Sequence, residues 1–342
     1  MVVQCSRALE GGSVVVVDTQ THWYPDELWD AYTRDDSYPR CRRVGSEYEV
    51  EILPGRWWTV PRNFRDLSLQ YADLKEQGVD SMVSSSASFG DVDYLSLEHA
   101  VEVARRLNEL RAEAEREYPG FIGLATIPWQ DPDAALEVLN EAILRVGLKG
   151  VLIHSNVAGA PLDSEYLRPV YERVAELGIP MFVHPARSLV EEQMADYGLE
   201  ILVGYMYETS TAVLRLVLGG VMADFPDLRV VHPHAGACLP YLAGRIDGSY
   251  SKPYAVGEVW ERPPSEYMKR TYTDTMCQDP ATLAFAREFY PSDHLLFGSD
   301  YPYFLPSAAI EFVNGNVPGE ELDGILQHNA ERLLGLSIPP DG

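Results

Sequence analysis

The chain has 342 residues, of which 46% are hydrophobic, and a formal net charge of −25 at pH 7. That apolar fraction is enough for a sizeable core, so the composition excludes a disordered chain. The 52 acidic residues against 27 basic ones exclude nucleic acid and anionic membranes as electrostatic partners. An acidic small molecule would need a local arginine, histidine or metal ion to be bound.

The cysteines and the N-terminal region indicate the compartment. Cys5, Cys41, Cys238 and Cys277 form neither a CxxC pair nor a disulfide framework, which is typical of a reducing environment. No basic region followed by a long apolar run marks a signal peptide. No apolar segment approaches the roughly 20 residues that a membrane-spanning helix needs. We therefore expect a cytoplasmic protein.

Short apolar or β-branched runs alternate with longer segments of helical pattern. The predicted strands are 14–18, 79–85, 121–127, 150–153, 180–183, 228–231, 270–274 and 295–298. The predicted helices are 64–78, 92–118, 131–147, 163–177, 209–223, 239–248, 280–289 and 320–334. Alternating strands and helices predict a parallel sheet. Eight such units predict an α/β fold of the (β/α)8 TIM-barrel type, as a single domain over residues 1–342.

Residues 26–61, after the first strand, do not follow this alternation. They are rich in Tyr, Trp, Arg and Pro, and we expect an irregular inserted loop region. An insertion of this length is typical of a lid or a binding loop, so we expect it to cover the site or to contact a second subunit. Arg56 and Arg62 are candidates for binding a substrate carboxylate. Surface arginines beside Trp57 and Trp58 are an equally good interpretation.

Residue types that bind metals follow the carboxyl ends of several predicted strands. They are Gln20 and His22 after the first strand, His154 after the fourth, His184 after the fifth, His232 and His234 after the sixth, and Asp300 after the eighth. Taken singly, each is more simply a satisfied polar residue at a strand end. Five of the eight histidines occupy such positions. Because the active sites of barrels lie at the carboxyl ends of the strands, this clustering favours one shared site.

A set of segments resembles the amidohydrolase superfamily. The segments are VDTQTHWYP, GVLIHSN, IPMFVHP, ETSTAVLRLVLGGVMADFPDLRVVHPHAGACLPYLAGRID, YTDTMCQDPATL and LLFGSDYPY. They resemble most the amidohydrolase-related branch that includes aminocarboxymuconate semialdehyde decarboxylase and the γ-resorcylate and carboxyvanillate decarboxylases. The resemblance implies a barrel with one divalent metal ion and no organic cofactor. Zinc is the first expectation and manganese the alternative.

The resemblance places the metal ligands at Gln20, His22, His184 and Asp300. Gln20 departs from the family pattern, which has His at this position, or Glu in some decarboxylases. A neutral amide oxygen is a poorer zinc ligand than imidazole and suits harder ions better. Two outcomes are open: a metal ion held mainly by the three strong ligands, or a site with low metal occupancy.

The resemblance also assigns residues to acid/base chemistry and substrate binding. It makes His234 the acid/base residue, with His232 as the competing candidate. Arg245 corresponds to an arginine that binds a substrate carboxylate in a neighbouring subunit's site, which implies a homodimer. An ion pair within the chain is the structural alternative for that arginine. His154 and Gln278, the latter at a position where relatives often carry His, are further candidates for substrate contact.

Three functions are open at this stage. The first is a metal-dependent, non-oxidative decarboxylase of an aromatic or muconate-like carboxylic acid, a carbon–carbon lyase in which His234 supplies a proton. The second is a hydrolase of an amide, lactone or cyclic ester, in which Asp300 takes the proton of an activated water. The third is a metal-free protein that binds a small molecule, which the glutamines at 20 and 278 keep open. Arginines near the metal site would favour the first.

Overall fold

The computed structural model describes residues 15–34, 39–53, 55–86, 92–187, 190–249, 252 and 261–338. Two residues of the sequence predictions, Cys5 and Val14, lie outside these ranges. The strands are β1 (Val17–His22), β2 (Cys41–Val44), β3 (Glu47–Leu53), β4 (Arg56–Thr59), β5 (Ser81–Ser85), β6 (Phe121–Gly123), β7 (Val151–His154), β8 (Asn156–Val157), β9 (Ala160–Pro161), β10 (Pro180–His184), β11 (Arg229–His232), β12 (Tyr272–Asp274) and β13 (Leu295–Leu296).

Helices occupy most of the sequence between the strands. The α-helices are α1 (Asp26–Tyr32), α2 (Arg62–Arg65), α3 (Leu67–Glu76), α4 (Leu97–Glu117), α5 (Pro132–Asn140), α6 (Arg168–Leu177), α7 (Glu191–Met194), α8 (Tyr205–Leu218), α9 (Val221–Asp224), α10 (Leu239–Ser249), α11 (Pro264–Met268), α12 (Pro280–Phe289), α13 (Pro306–Asn316), α14 (Gly319–Asp323) and α15 (Asn329–Leu334). Three π-helical segments (Glu141–Val146, Glu200–Gly204, Gly324–His328) adjoin α5, α8 and α15.

Eight strands are parallel and form two sheets, so the fold is α/β as predicted. The strand orders are β1-β5-β6 and β13-β12-β11-β10-β7. At one junction of the sheets Thr21 pairs in parallel with Tyr301, which lies beyond β13. At the other junction Ala125, which lies beyond β6, pairs in parallel with Val151. Both edges of each sheet therefore adjoin the other sheet.

The parallel strands are buried on both faces, as strands covered by helices are. One apolar cluster joins side chains from one face of six strands: Val17, Val83, Leu152, Phe182, Val231 and Leu296. We call it the inner cluster. Since side chains two apart in a strand point to the same side, His154 and His184 project on the side of Leu152 and Phe182. These two histidines are paired directly across β7 and β10.

The expectation that residues 26–61 are irregular was wrong. They contain the helix α1 and an antiparallel sheet in the order β2-β3-β4. The two connections use Gly45 and Gly55, whose φ angles of 65° and 77° are left-handed and favour glycine. Between these glycines Tyr48 and Val50 are buried and alternate with acidic residues, which is the pattern of a strand with one covered face.

Other helices differ from their predicted limits for local reasons. The predicted helix 64–78 is divided at Asp66, whose side chain accepts the N–H groups of Ser68 and Leu69 and caps the second helix. The predicted helix 209–223 is divided at Gly220, which has a left-handed φ of 85°. The helix α13 was not predicted.

The helical run Glu200–Leu218 corrects another expectation. With 19 residues and a mean hydropathy of 1.3, it is long and apolar enough to cross a membrane. Its side chains Val213, Leu216 and Val217 are buried in the main hydrophobic cluster. The run therefore packs on the core mainly through residues 208–217, whereas Ile201, Leu202 and Val203 are exposed.

Candidate metal centre and active site

Three side chains that are far apart in the sequence meet at one point. His22 ends β1, His184 ends β10, and Asp300 follows β13. One ligand atom from each lies within 4.8 Å of the others, and all three residues are buried. The His22 Nε2 and Asp300 Oδ1 atoms are 3.0 Å apart. We call these three residues the His-His-Asp cluster.

Hydrogen bonds orient the two imidazole rings of the cluster. His184 Nδ1 donates to the carbonyl oxygen of Pro185 at 3.0 Å. Its Nε2 is buried and has no hydrogen-bond partner among the described residues. His22 Nδ1 lies 3.2 Å from the hydroxyl of Ser85. A histidine whose Nδ1 is held by a carbonyl presents its Nε2 lone pair, which is the usual arrangement of a metal ligand.

Gln20 lies against the cluster through its amide. Its Nε2 donates to Asp300 Oδ1 at 3.2 Å and lies 3.4 Å from His234 Nε2. Its Oε1 is buried without a hydrogen-bond partner in the described part of the chain. The amide nitrogen therefore contacts the carboxylate, and the amide oxygen is left as a neutral donor. Together with two imidazole nitrogens and one carboxylate oxygen, this donor set fits a divalent transition-metal ion.

The ionisation of the cluster also fits a metal site. Burial lowers the pKa of His184 well below its usual value, and the neighbouring His22 adds to this effect. Burial opposes ionisation of Asp300, but hydrogen bonds from His22 and His234 outweigh it and lower the pKa of the carboxyl. A neutral imidazole and an ionised carboxylate are the forms that bind metal ions.

His234 lies on the other side of Asp300. Its Nε2 is 3.7 Å from Asp300 Oδ2. Burial favours the neutral ring, but the nearby Asp300 carboxylate outweighs this effect and raises the pKa of His234. His232, the competing candidate, pairs through Nε2 with the hydroxyl of Thr271 at 2.9 Å. Burial, with His234 nearby, lowers the pKa of His232 to about 3.

A small cavity of about 30 Å³ lies between the cluster and the inner apolar side chains. Its lining includes Gln20, His22, His184, His232, Asp274, Leu152, Phe182 and Val231. Apolar side chains together with convergent polar groups are typical of a small-molecule site.

His154 ends β7 next to His184. Its Nδ1 lies 3.2 Å from Asp93 Oδ2, and both side chains are buried. Its Nε2 is also buried and has no hydrogen-bond partner among the residues described. The sequence analysis placed Asp93 in the predicted helix 92–118 and gave it no role. The helix α4 begins only at Leu97, so Asp93 lies in the connection before it.

The remaining predicted site residues lie apart from the cluster. Arg62 is 73% exposed and pairs with Asp66 at 2.9 Å. Arg56, Arg245 and Gln278 are exposed. Within the described ranges, none of these four side chains hydrogen-bonds to the cluster or forms an ion pair with it. For Arg62 the reason is local, since an acid four residues along a chain in helical conformation is a ready partner.

The structural alternative for Arg245 was an ion pair within the chain, with Asp247 as one candidate. The Asp247 carboxylate instead accepts the N–H and the hydroxyl of Ser265, at 3.0 and 2.6 Å. Arg245 stays exposed on α10.

A buried glutamate supports the segment after His184. Glu208 accepts the hydroxyl of Ser155 and the amide N–H of Asn156, both at 3.0 Å. The Ser155 hydroxyl in turn accepts the N–H of Ala186 at 3.1 Å. This chain of hydrogen bonds ties the ends of β7 and β10 together and holds the backbone that follows His184.

Two further buried carboxylates, Asp18 and Asp274, accept backbone N–H groups of site residues. Burial raises the pKa of Asp18 to about 7 and that of Asp274 to about 6. The sequence analysis gave neither residue a role. Asp18 lies within a buried strand and Asp274 ends one, whereas Asp300 follows one.

Comparison with known proteins agrees with this geometry. The sequence pattern of the amidohydrolase family matches residues 17–336, and the chain belongs to this family. The 2-amino-3-carboxymuconate-6-semialdehyde decarboxylase of Dictyostelium discoideum is 30% identical over 290 residues, which are 83% of this chain and 79% of that protein. The γ-resorcylate decarboxylase of a Rhizobium species is 28% identical over 311 residues, which are 83% of this chain and 92% of that protein.

A solved structure gives the same picture of the fold. The 5-carboxyvanillate decarboxylase of Novosphingobium aromaticivorans, crystallised with manganese and 4-hydroxy-3-methoxy-5-nitrobenzoic acid, superposes with a TM-score of 0.82 at 24% identity. The match covers 95% of this chain and 97% of that one. The predicted resemblance to the amidohydrolase-related decarboxylase branch is confirmed.

Proposed function

We propose that this protein is a divalent-metal-dependent, non-oxidative decarboxylase of an aromatic or unsaturated carboxylic acid, and thus a carbon–carbon lyase. The observation that carries the proposal is the buried His-His-Asp cluster with His234 beside Asp300, in a chain whose relatives named above are decarboxylases.

His22, His184 and Asp300 would hold the metal ion, with the amide oxygen of Gln20 as a neutral fourth donor. Zinc and manganese are the ions proposed, because imidazole suits both and the oxygen donors favour the harder manganese. A bound divalent cation would draw electron density from a substrate oxygen beside the leaving carboxylate.

His234 would supply the proton that the reaction consumes. Loss of carbon dioxide from a carboxylate leaves an electron pair on carbon, and this carbon takes one proton to give the product. The Asp300 carboxylate raises the pKa of His234 and so favours the protonated ring that can donate. His154, whose Nε2 has no partner in the described chain, would contact a polar group of the substrate.

The proposal extends to the architecture around the site. Closure of the eight parallel strands into a (β/α)8 barrel, in one domain over residues 1–342, is supported by the pairings at both sheet junctions. Residues 26–61 would act as a lid or a dimer contact. Aromatic contacts support this role: Trp58 packs on Phe64, Phe64 packs on Tyr303, and the Tyr303 ring lies 6.0 Å from that of His22.

A homodimer in which Arg245 binds a carboxylate in the partner's site is also part of the proposal. Tyr241 is 80% exposed on α10, and Arg245 lies one helical turn further along the same helix. Large apolar side chains are also exposed on the adjoining segment: Tyr197, Ile201, Leu202, Val203 and Tyr207. Exposed apolar side chains in such number are typical of a surface that another protein covers. The free thiols of Cys41, Cys238 and Cys277 support a cytoplasmic location.

Metal content and carbon dioxide release, measured together, test the proposed function. We expect about one equivalent of metal per chain and release of carbon dioxide from a member of a panel of hydroxybenzoates and muconate-like acids. His184→Ala and Asp300→Ala should lose both, because each removes a strong ligand. His328→Ala is the matched control, since that histidine is exposed and pairs with Glu331.

Other outcomes would contradict the proposal in different ways. Stoichiometric metal with cleavage of lactones or amides, and no carbon dioxide from any acid, would assign the site to hydrolysis. A wild-type protein without metal would leave only metal-free chemistry or binding.

A further inference from the structure

Two buried carboxylates, Asp18 and Asp274, accept hydrogen bonds from the backbone at the site. Asp18 lies within β1 and Asp274 ends β12, and their exposed fractions are 0% and 3%. A buried carboxylate is costly unless hydrogen bonds satisfy it. Each of these two accepts backbone N–H groups from the end of an adjacent strand.

The hydrogen bonds of Asp274 converge on the backbone of His234. One oxygen, Oδ1, accepts the N–H groups of His234 at 2.8 Å, Ala235 at 3.3 Å and Met276 at 2.9 Å. His234 and Ala235 have φ angles of 65° and 52°, and a left-handed backbone is unfavourable for a non-glycine residue. The carboxylate offsets that cost at both residues. Because the imidazole follows the backbone of His234, Asp274 determines where the ring lies relative to Asp300.

Gly298 leaves room for the Asp274 side chain. A Cβ added at Gly298 would lie 2.9 Å from the Asp274 Cβ and 3.0 Å from its Oδ2. Atoms at that distance repel, so one side must move. A substitution at Gly298 would therefore push against Asp274 without altering any hydrogen-bonding group.

Asp18 makes similar contacts with the backbone of Gln20 and of the residue before Asp300. Its Oδ1 accepts the N–H of Gln20 at 3.1 Å and that of Ser299 at 3.0 Å, and the Ser299 hydroxyl also donates to Asp18. Ser299 immediately precedes Asp300, whose φ of 62° is left-handed. Asp18 thus ties β1 to the residue before Asp300 and holds the backbone of Gln20.

We propose that Asp274 and Asp18 are positioning residues with separate targets: Asp274 fixes His234, whereas Asp18 fixes Gln20 and Asp300. The functional consequences rest on the proposed function, but the positions themselves do not. All three N–H groups bond to a single oxygen of Asp274, and an asparagine side chain also provides one such oxygen. The positioning of the His234 backbone therefore requires the acceptor oxygen and not the carboxylate charge.

The test compares Asp274→Asn, Asp274→Ala, Gly298→Ala and Asp18→Ala as full-length proteins purified in the presence of the metal ion. The measurements are metal content, kcat and KM for an acid that the wild type decarboxylates, and crystal structures. Asp274→Ala should keep its metal and its KM but lose about 100-fold in kcat, because a displacement of about 1 Å is enough for such a loss. Asp274→Asn should retain kcat within about threefold, since it keeps the acceptor. Asp18→Ala should lose metal.

Gly298→Ala should behave as Asp274→Ala does, and it replaces that variant if the latter fails to fold. Wild-type kcat and an unmoved His234 ring in Asp274→Ala would overturn the proposal. So would an Asp274→Asn protein as damaged as Asp274→Ala, because the charge would then be what matters. Failure of the proposed function is seen separately: the wild type releases no carbon dioxide from any acid, and the crystal structures still decide whether Asp274 fixes His234.

Discussion

At the scale of single residues, a position just after a parallel strand identified the site. His22, His184 and Asp300 were predicted from that position, and the structure brings them together because the carboxyl ends of neighbouring parallel strands lie side by side. A position just after a strand does not distinguish the proposed metal ligands from the residues that are proposed to position them. Asp274 ends a buried strand and accepts backbone N–H groups, and nothing in its sequence context distinguishes it from Asp300.

The sequence did not show which neighbouring side chains the arginines contact. Arg62 was a candidate for a substrate carboxylate, yet Asp66 lies within reach and pairs with it. Whether an arginine is engaged locally depends on side-chain geometry that a sequence pattern does not contain. Likewise, only the structure shows that Asp247 is already occupied by Ser265.

Replacing Gln20 tests how much more weakly the metal ion is bound with an amide at this position than with an imidazole. Gln20→His substitutes an imidazole for a neutral oxygen donor, and we expect the dissociation constant for zinc to fall at least about tenfold, equivalent to about 1.4 kcal/mol. Competition with a chromophoric chelator measures it. Gln20→Met, which removes both the donor oxygen and the hydrogen bond to Asp300, is the control and should bind zinc more weakly than the wild type. Weaker zinc binding by Gln20→His would show that the hydrogen bond to Asp300 outweighs the added ligand.

At the scale of elements, the periodicity of the strands was readable and the interruptions of the helices were not. Each of the eight predicted parallel strands has a counterpart within a few residues of its predicted limits. The division of residues 64–78 depends on whether the Asp66 side chain caps a helix or faces solvent, and the sequence allows both. The sheet β2-β3-β4 was missed because its turns rely on two glycines in left-handed conformation within a segment dense in aromatic residues.

Two glycines next to helices or strands allow the cost of a left-handed φ angle to be measured apart from the cost of a steric clash. Gly120 and Gly147 both have left-handed φ angles, of 86° and 95°. A Cβ at Gly120 would lie 2.4 Å from the carbonyl oxygen of Asp80, whereas nothing lies within 4 Å of one at Gly147. Gly147→Ala should cost about 1–2 kcal/mol of unfolding free energy from its φ angle alone. Gly120→Ala should cost more than about 3 kcal/mol, because backbone must also move.

Equilibrium unfolding in urea measures both variants. Equal losses at the two positions would mean that the β5–β6 edge relaxes around the added methyl group. In that case the close approach at Gly120 would not constrain the start of β6.

At the scale of the whole molecule, the alternation of strands and helices predicted the α/β class correctly. The class alone does not predict the pairings between the two sheets, because an open α/β sheet has edge strands; they are an observation of the structure. The proposed homodimer is harder to predict from the sequence. A sequence does not mark which apolar residues remain exposed, and Tyr197 at 91% and Tyr241 at 80% became visible only after the rest had packed.

Mixing two inactive variants tests the shared site of the proposed dimer. Arg245→Ala and His234→Ala each lack one group, and each should be inactive alone. After mixing and subunit exchange, half of the dimers are mixed and each has one intact site, so about a quarter of wild-type activity should return. Carbon dioxide release measures the recovered activity, and native mass spectrometry, which resolves the mixed dimer by its mass, confirms the exchange. Exchange without recovered activity would mean that Arg245 serves its own subunit or none.

The pairing of Thr21 with Tyr301 has a consequence for folding during synthesis on the ribosome. His22 meets Asp300 across 278 positions of sequence, so the first strand leaves the ribosome long before the segment that will cover its second edge. An uncovered edge of a strand is a template for wrong partners. Contacts this distant form late and slowly. The nascent chain is thus exposed to aggregation until residues 295–301 emerge, and a site that needs both His22 and Asp300 cannot form before then.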